Sequence, residues 1–126
     1  MRIMEYRQLF TDVRRRPGSY GLSGSFREAV AFINGCDAGN SWGLLVGFRE
    51  WLALKAETEA NLAWPFLILK IAKIPAGDSE AGVQFSGADE AKSLEVLFEE
   101  LDSFLSARNG VHGATVIIAK YLEARG

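Results

Sequence analysis

Apolar residues recur along this chain at intervals of three and four, and the spacing predicts helices almost throughout. Met1–Arg16 carries Ile3, Tyr6, Phe10 and Val13 on one face with Leu9 beside them, and Pro17-Gly18 stops it. Gly18–Gly24 is a turn-rich connection. Ser25-Phe26-Arg27-Glu28 then matches a capping box, in which the serine hydroxyl and the glutamate carboxylate satisfy each other's free backbone amides. A second helix runs to about Cys36 with Phe26, Ala29, Val30, Ile33 and Cys36 inward. Asp37–Asn40 reads as a short loop, with Asn40 or Ser41 capping the next helix.

The stretch Ser41–Leu54 is the expected centre. Leu44, Leu45, Phe48, Trp51 and Leu52 keep helical spacing, and only Arg49 and Glu50 are clearly charged. Apolar residues nearly all round predict a central helix rather than a surface one. Gly39, Gly43 and Gly47 recur every four residues and would line one face, letting a neighbouring backbone come close. Each glycine inside a helix costs about 1 kcal/mol relative to alanine. A glycine-lined ligand cleft is the alternative use of that face.

Beyond it, Trp64–Ile74 reads as either helix or buried strand. Lys70 and Lys73 favour helix, because in a strand they would point to opposite sides and one would enter the core. Either Asn61 caps this helix or Pro65 opens it. Pro75–Gly87 is the longest loop, with Val83 and Phe85 expected to tuck onto the core. Ser86 to Asp89 starts a helix reaching about Arg108, with Ala91, Leu94, Leu97, Phe98, Leu101, Phe104 and Leu105 inward, and Asn109-Gly110 ends it. Val111–Arg125 is a final helix with Val116, Ile117, Ala119 and Tyr121 or Leu122 inward. Its β-branched run Ala114–Ile118 makes a strand the alternative there. The pattern thus predicts a single all-α domain spanning residues 1–126, a compact bundle of five or six helices around the central helix 41–54.

Composition sharpens this. The chain has 126 residues, 48% hydrophobic and 24% charged, the profile of an ordinary globular domain. A formal net charge of −2 argues against a protein whose main business is holding nucleic acid. A single cysteine, Cys36, excludes an internal disulfide, and no apolar leader segment is visible, so a cytoplasmic location is expected. The longest apolar run, Leu62–Leu69, is interrupted by Pro65 and falls far short of the roughly 20 residues of a spanning helix.

Candidate chemistry is sparse. Nothing sets His112 and Cys36 side by side, and no activating motif surrounds either. No carboxylate–histidine cluster with metal-ligand spacing occurs, and no phosphate-cradling glycine motif. The expectation is a non-enzyme without metal or cofactor.

Charge carries more information. Between Asp78 and Asp102 stand eight acids (Asp78, Glu80, Asp89, Glu90, Glu95, Glu99, Glu100, Asp102) and one base, Lys92. On the helix expected there, Glu95, Glu99 and Asp102 line up opposite the apolar face. A solvated outer face is the plain reading, and a docking surface for a basic partner is the functional one. The remaining bases gather on the first helix, where Arg14, Arg15 and Arg16 complement its dipole or hold an anion. The molecule is therefore expected to be electrically two-faced.

Two resemblances attach to these residues. Val13–Gly21 resembles the R-P-G-M-Y-I-G turn of the gyrase-type ATPase fold, but the chain offers neither that fold's length nor its nucleotide-binding constellation. More broadly, R-R-P-G-S-Y-G (Arg15–Gly21), V-A-F-I-N-G-C-D (Val30–Asp37), G-L-L-V-G-F-R-E-W-L (Gly43–Leu52) and N-L-A-W (Asn61–Trp64) resemble a group of short bacterial proteins of unassigned function. Ser19 stands where that pattern has Met, and Cys36 where it has Tyr. Proteins of this size and style resemble immunity partners of secreted bacterial toxins. The resemblance implies a cytoplasmic inhibitor covering the basic surface of a cognate toxin, and Glu95, Glu99, Glu100 and Asp102 are the acids expected to do it. The alternative is a small-ligand or anion sensor using Arg14–Arg16 and the Gly18–Gly21 turn. A regulatory module touching nucleic acid through the same arginines comes third, against the overall acidity. An exposed Trp42 or Trp64 would suit a homodimer face.

Overall fold

The computed structural model describes residues 1–75, 86–110 and 112–126. Among them are six α-helices and no strand: α1 (Ile3–Arg15), α2 (Phe26–Gly39), α3 (Phe48–Ala56), α4 (Trp64–Ile71), α5 (Gly87–Arg108) and α6 (Gly113–Arg125). The fold is all-α, as the apolar spacing predicts. The expected tucking of Val83 and Phe85 lies outside the described residues.

The helix that organises the molecule is α5. Its 22 residues make a rod of about 33 Å. Each of the other five helices packs against it. Ser86 caps it by accepting from the Asp89 amide at 3.1 Å. Leu97, Leu101, Phe104 and Leu105 are fully buried along its length. Ala91, expected inward, is exposed. Phe104 meets Phe48 of α3 at 4.9 Å between ring centroids, and Phe48 meets Trp64 of α4 at 5.4 Å. These aromatic pairs join three helices at one point of the core.

α1 buries Phe10 and Val13 against α5 and gives way to a 3-10 turn, Pro17–Tyr20. α2 starts as its capping box predicts, Ser25 accepting from the Glu28 amide at 3.1 Å, but the Glu28 carboxylate also reaches upstream to the Ser23 amide at 2.8 Å. The helix then runs through Gly39, consuming most of the expected Asp37–Asn40 loop.

The predicted central helix 41–54 is the main correction. Residues Ser41 to Gly47 are turns, and α3 begins only at Phe48. α2 ends in a Schellman closure: the Trp42 amide donates to Asp37 O at 2.8 Å and the Ser41 amide to Ala38 O at 3.1 Å. That closure puts Ser41 at φ 54°, and Trp42 comes next at φ 62°, so no helix passes through. Gly47 lies at φ 95°. The four-residue glycine spacing therefore marks a reversal of the chain and not a helix face. Leu44, Leu45, Phe48 and Leu52 are nonetheless all buried, because the folded-back loop inserts its leucines into the same core. Trp42 is thrown outward and is 65% exposed.

Polar groups hold this loop. The Leu45 amide donates to Asp37 Oδ1 at 3.0 Å, and the Arg108 guanidinium donates to Leu44 O. Asn40 does not N-cap the next helix but is the C-cap of α2. Its amide nitrogen donates to Cys36 O at 2.8 Å and to the Tyr6 hydroxyl at 2.7 Å.

Trp64–Ile71 is helical, with Pro65 in its first turn and Ala63, not Asn61, at the N-cap. Within the helix Leu67 and Ile68 are buried and Lys70 faces water as its spacing predicts. The helix stops at Ile71, short of the expected Ile74, so Lys73 and Ile74 lie in the closing turn, and Leu69, not expected inward, is buried. The run 114–118 is helical too, not a strand. There Ile117 is buried, but Val116, expected inward, is 48% exposed, and Ala119 and Leu122 also face out. Tyr121 is the inward aromatic, its hydroxyl accepting from the Ala60 amide at 2.8 Å.

Candidate functional site

α1 and α5 lie side by side because Phe10 and Val13 on one and Phe98, Leu101 and Leu105 on the other need a common apolar cover. Their flanking polar residues then face each other across a groove of about 610 Å³. Phe10, Phe98 and Leu105 form its floor, Arg7, Thr11, Arg14 and Arg15 one side, and Glu99, Asp102 and Ser103 the other. The acids and bases that the sequence assigns to two opposite faces therefore share one feature. The two-faced molecule is corrected to a groove with opposite charges on its two rims.

The four predicted docking acids divide. Arg7 holds Asp102 with two bonds, Nε to Oδ1 at 2.8 Å and a terminal nitrogen to Oδ2 at 3.0 Å. That bidentate hydrogen bonding keeps the Asp102 carboxyl below its ordinary range and raises the Arg7 guanidinium. Glu100 points away from the groove, its side chain only 13% exposed and 3.7 Å from the Lys55 ammonium. Glu95 and Glu99 are exposed and have no ion-pair partner among the described residues. Of the wider acidic run, Glu90 accepts the Phe26 amide at the start of α2, while Asp78 and Glu80 lie outside the described residues. The acidic helix is thus partly an internal fastener.

The arginine triplet divides in the same way. Arg16 donates to Asp12 Oδ1 from Nε at 3.0 Å and from a terminal nitrogen at 2.6 Å, and the Tyr20 hydroxyl donates to Oδ2 at 2.5 Å. Tyr20, and then Arg16, hold the Asp12 carboxyl low. Arg14 and Arg15 remain exposed without an ion-pair partner among the described residues. The Gly18–Gly21 turn offers no amide cradle beside them. The amides of Ser19, Gly21 and Leu22 already donate to Arg16 O, Gly18 O and Pro17 O.

Cys36 is half-buried, and burial pushes its thiol up, away from the thiolate that a nucleophile requires. His112 is exposed just ahead of α6. Among the described residues no group of three or more His, Cys, Asp or Glu is placed to hold a metal ion. No described helix is long and apolar enough to cross a membrane.

A second cleft, of about 470 Å³, takes only Gly47 of the three glycines expected to line one, and its other walls escape the sequence reading. Asn34 and Asp37 of α2, Val46 to Glu50 around the start of α3, and Trp64 and Pro65 of α4 surround it. Trp64 is fixed there by an indole N–H donated to Asn34 Oδ1 at 3.0 Å. Residues of Val30–Asp37, Gly43–Leu52 and Asn61–Trp64 meet at this cleft. Yet Asp37 and Asn34 already serve the Leu45 amide and the Trp64 ring.

No family model, no curated protein and no solved structure matches the chain.

Proposed function

We propose that this chain is a non-enzymatic protein-binding module, and within that class an immunity-type inhibitor that works in the cytoplasm against a basic toxin surface. One observation carries the reading. The α1–α5 groove has an apolar floor between two rims of opposite charge, and each rim keeps charges that no described residue neutralises. Glu99 stands on the α5 rim with Glu95 one turn before it, and Arg14 and Arg15 stand on the α1 rim. Such a groove complements a partner segment that presents bases toward α5 and a carboxylate toward α1, with apolar side chains between. Glu95 and Glu99 are the contact acids in this reading. Asp102 positions the rim through Arg7, and Glu100 belongs to the other side of α5.

The test is affinity capture from the source lysate, including the products of adjacent genes, using wild type and the Glu95→Lys/Glu99→Lys variant in parallel at low and moderate salt. A basic protein retained by wild type, released as salt rises and lost by the variant supports the reading. Equal retention by both, or no retained protein, sinks it. Unpaired Arg14 and Arg15 favour a second reading, a small-anion sensor. There, phosphate would raise the melting temperature and Arg15→Ala would abolish the rise.

A further inference from the structure

Apart from the charged groove, α3 and α6 enclose a recess of about 320 Å³. Its walls are Trp51 and Leu54 of α3, Ala107 of α5, and Val116 and Ile117 of α6. Gly113 adds backbone without a side chain. Two cations, Lys55 and Lys120, complete the lining. This is the chemistry of a small-molecule site, mostly apolar with a few charged groups that fix orientation.

Three observations set the class of ligand. First, both ionic groups of the lining are positive. The acid next to them, Glu100, lies 3.7 Å from Lys55, and an ammonium has three donors, so Lys55 keeps capacity for a second acceptor. Lys120 has no ion-pair partner among the described residues. Second, Lys55 sits 5.4 Å from the centre of the Trp51 ring, which ties the positive charge to the aromatic wall. Third, the Trp51 indole N–H is buried and has no acceptor among the described residues. Buried donors are paired in the great majority of folded proteins, so Trp51 carries an unmet donor in the protein alone. Val116, turned out of the core, supplies an apolar lip that the bundle does not need.

We infer that the recess between α3 and α6 binds a small aromatic or branched-chain carboxylate, its apolar body against Trp51, Leu54, Val116 and Ile117 and its anion between Lys55 and Lys120. The proposal is independent of the groove between α1 and α5, which shares none of these residues.

The experiment is a titration of the 15N-labelled full chain with phenylacetate, followed at the Trp51 indole N–H cross-peak, with uncharged phenylacetamide as the companion probe. Wild type should show a saturable shift at millimolar phenylacetate. Lys120→Gln should weaken binding about three- to five-fold, the range of a single exposed charge pair. Val116→Trp, which fills the recess from an exposed position, should remove the shift while leaving the spectrum that of a folded protein. Phenylacetamide should bind more weakly than the acid. No saturable shift in folded wild type overturns the site. Equal binding of acid and amide, or an affinity unmoved by both Lys55→Gln and Lys120→Gln, overturns the anionic class.

Discussion

Arg7 and Asp102 join α1 to α5 across 95 positions of sequence, with paired bonds of 2.8 and 3.0 Å. Both residues line the groove, so the pair ties its two rims together. Because the folded state depresses the Asp102 pKa, the pair stabilises the fold above the ordinary aspartate value of about 3.9. That contribution is lost as pH falls from there through the lower folded value. Asp102→Asn should therefore lower the melting temperature modestly at pH 7, and the difference from wild type should vanish in strong acid. Melting curves from pH 7 down to pH 2 check it. A difference that persists at the acid end would assign the effect to packing instead.

Besides Ser41 at the end of α2, two further helix ends carry a side chain where glycine fits best. Glu57 (φ 54°) and Lys73 (φ 59°) close α3 and α4 in left-handed geometry. Their amides donate to Leu54 O at 3.3 Å and Lys70 O at 3.1 Å, with the Thr58 and Ile74 amides completing each closure. Glu57→Gly and Lys73→Gly should each stabilise by about 0.5–1 kcal/mol, because relief of the left-handed strain outweighs the added freedom of the unfolded chain. Gly21→Ala at φ 76° should act in the opposite direction by a similar amount. Urea unfolding midpoints decide both signs.

Gly113 is a point of close backbone approach. A Cβ built there would stand 2.5 Å from Arg108 O and 2.8 Å from Arg108 C and Cα, all backbone of α5. Gly113→Ala must push α6 away from α5 and should cost about 1–3 kcal/mol. Gly110→Ala, whose Cβ would meet Ala107 O at 3.8 Å, should be nearly neutral. Chemical denaturation of the two variants side by side separates close approach from general loop sensitivity.

Local pattern reaches some of these features and not others. The spacing of Leu97, Leu101, Phe104 and Leu105 identifies the buried face of α5, because burial against a core imposes the helical period directly. Between Ser41 and Gly47 the same period misleads. Leu44 and Leu45 are buried by a chain reversal, and the reversal rests on left-handed conformations at Ser41 and Trp42 that neither residue type announces. The Asp37 side chain that stabilises the reversal acts eight positions away, on the Leu45 amide. The docking acids fail for a related reason. Helical spacing aligns Glu95, Glu99 and Asp102, but only the approach of α1 decides which of them already has an arginine. Nothing local marks the recess at Trp51, whose lining comes from three helices.

The Asp37–Leu45 bond can be tested directly. Asp37→Ala removes the acceptor of the Leu45 amide and the acid whose charge offsets the desolvation of Arg108. An unsatisfied buried amide costs about 1–3 kcal/mol, so the variant should lose stability on that scale. Asp37→Asn retains an acceptor oxygen and should lose less. Hydrogen exchange at the Leu45 amide gives the local readout, and protection unchanged in Asp37→Ala would show that the loop is held by its leucines alone.

Contact acids and fastening acids on α5 should respond differently to loss of charge. Glu99→Gln leaves every described internal ion pair intact, so any effect on partner association reports the free rim charge. Its association rate should fall several-fold, up to about tenfold together with Glu95→Gln, with a shallower dependence on salt and an unchanged melting temperature. Asp102→Asn should lower stability through Arg7, and because it frees one base in the groove it should also slow a basic partner, by no more than the single Glu99→Gln change does. Stopped-flow association with the captured partner at two ionic strengths, set beside melting curves, resolves the two roles. If Asp102→Asn slows association as much as the Glu95/Glu99 double change, the acids act as one patch and the division drawn from the Arg7 pair is wrong.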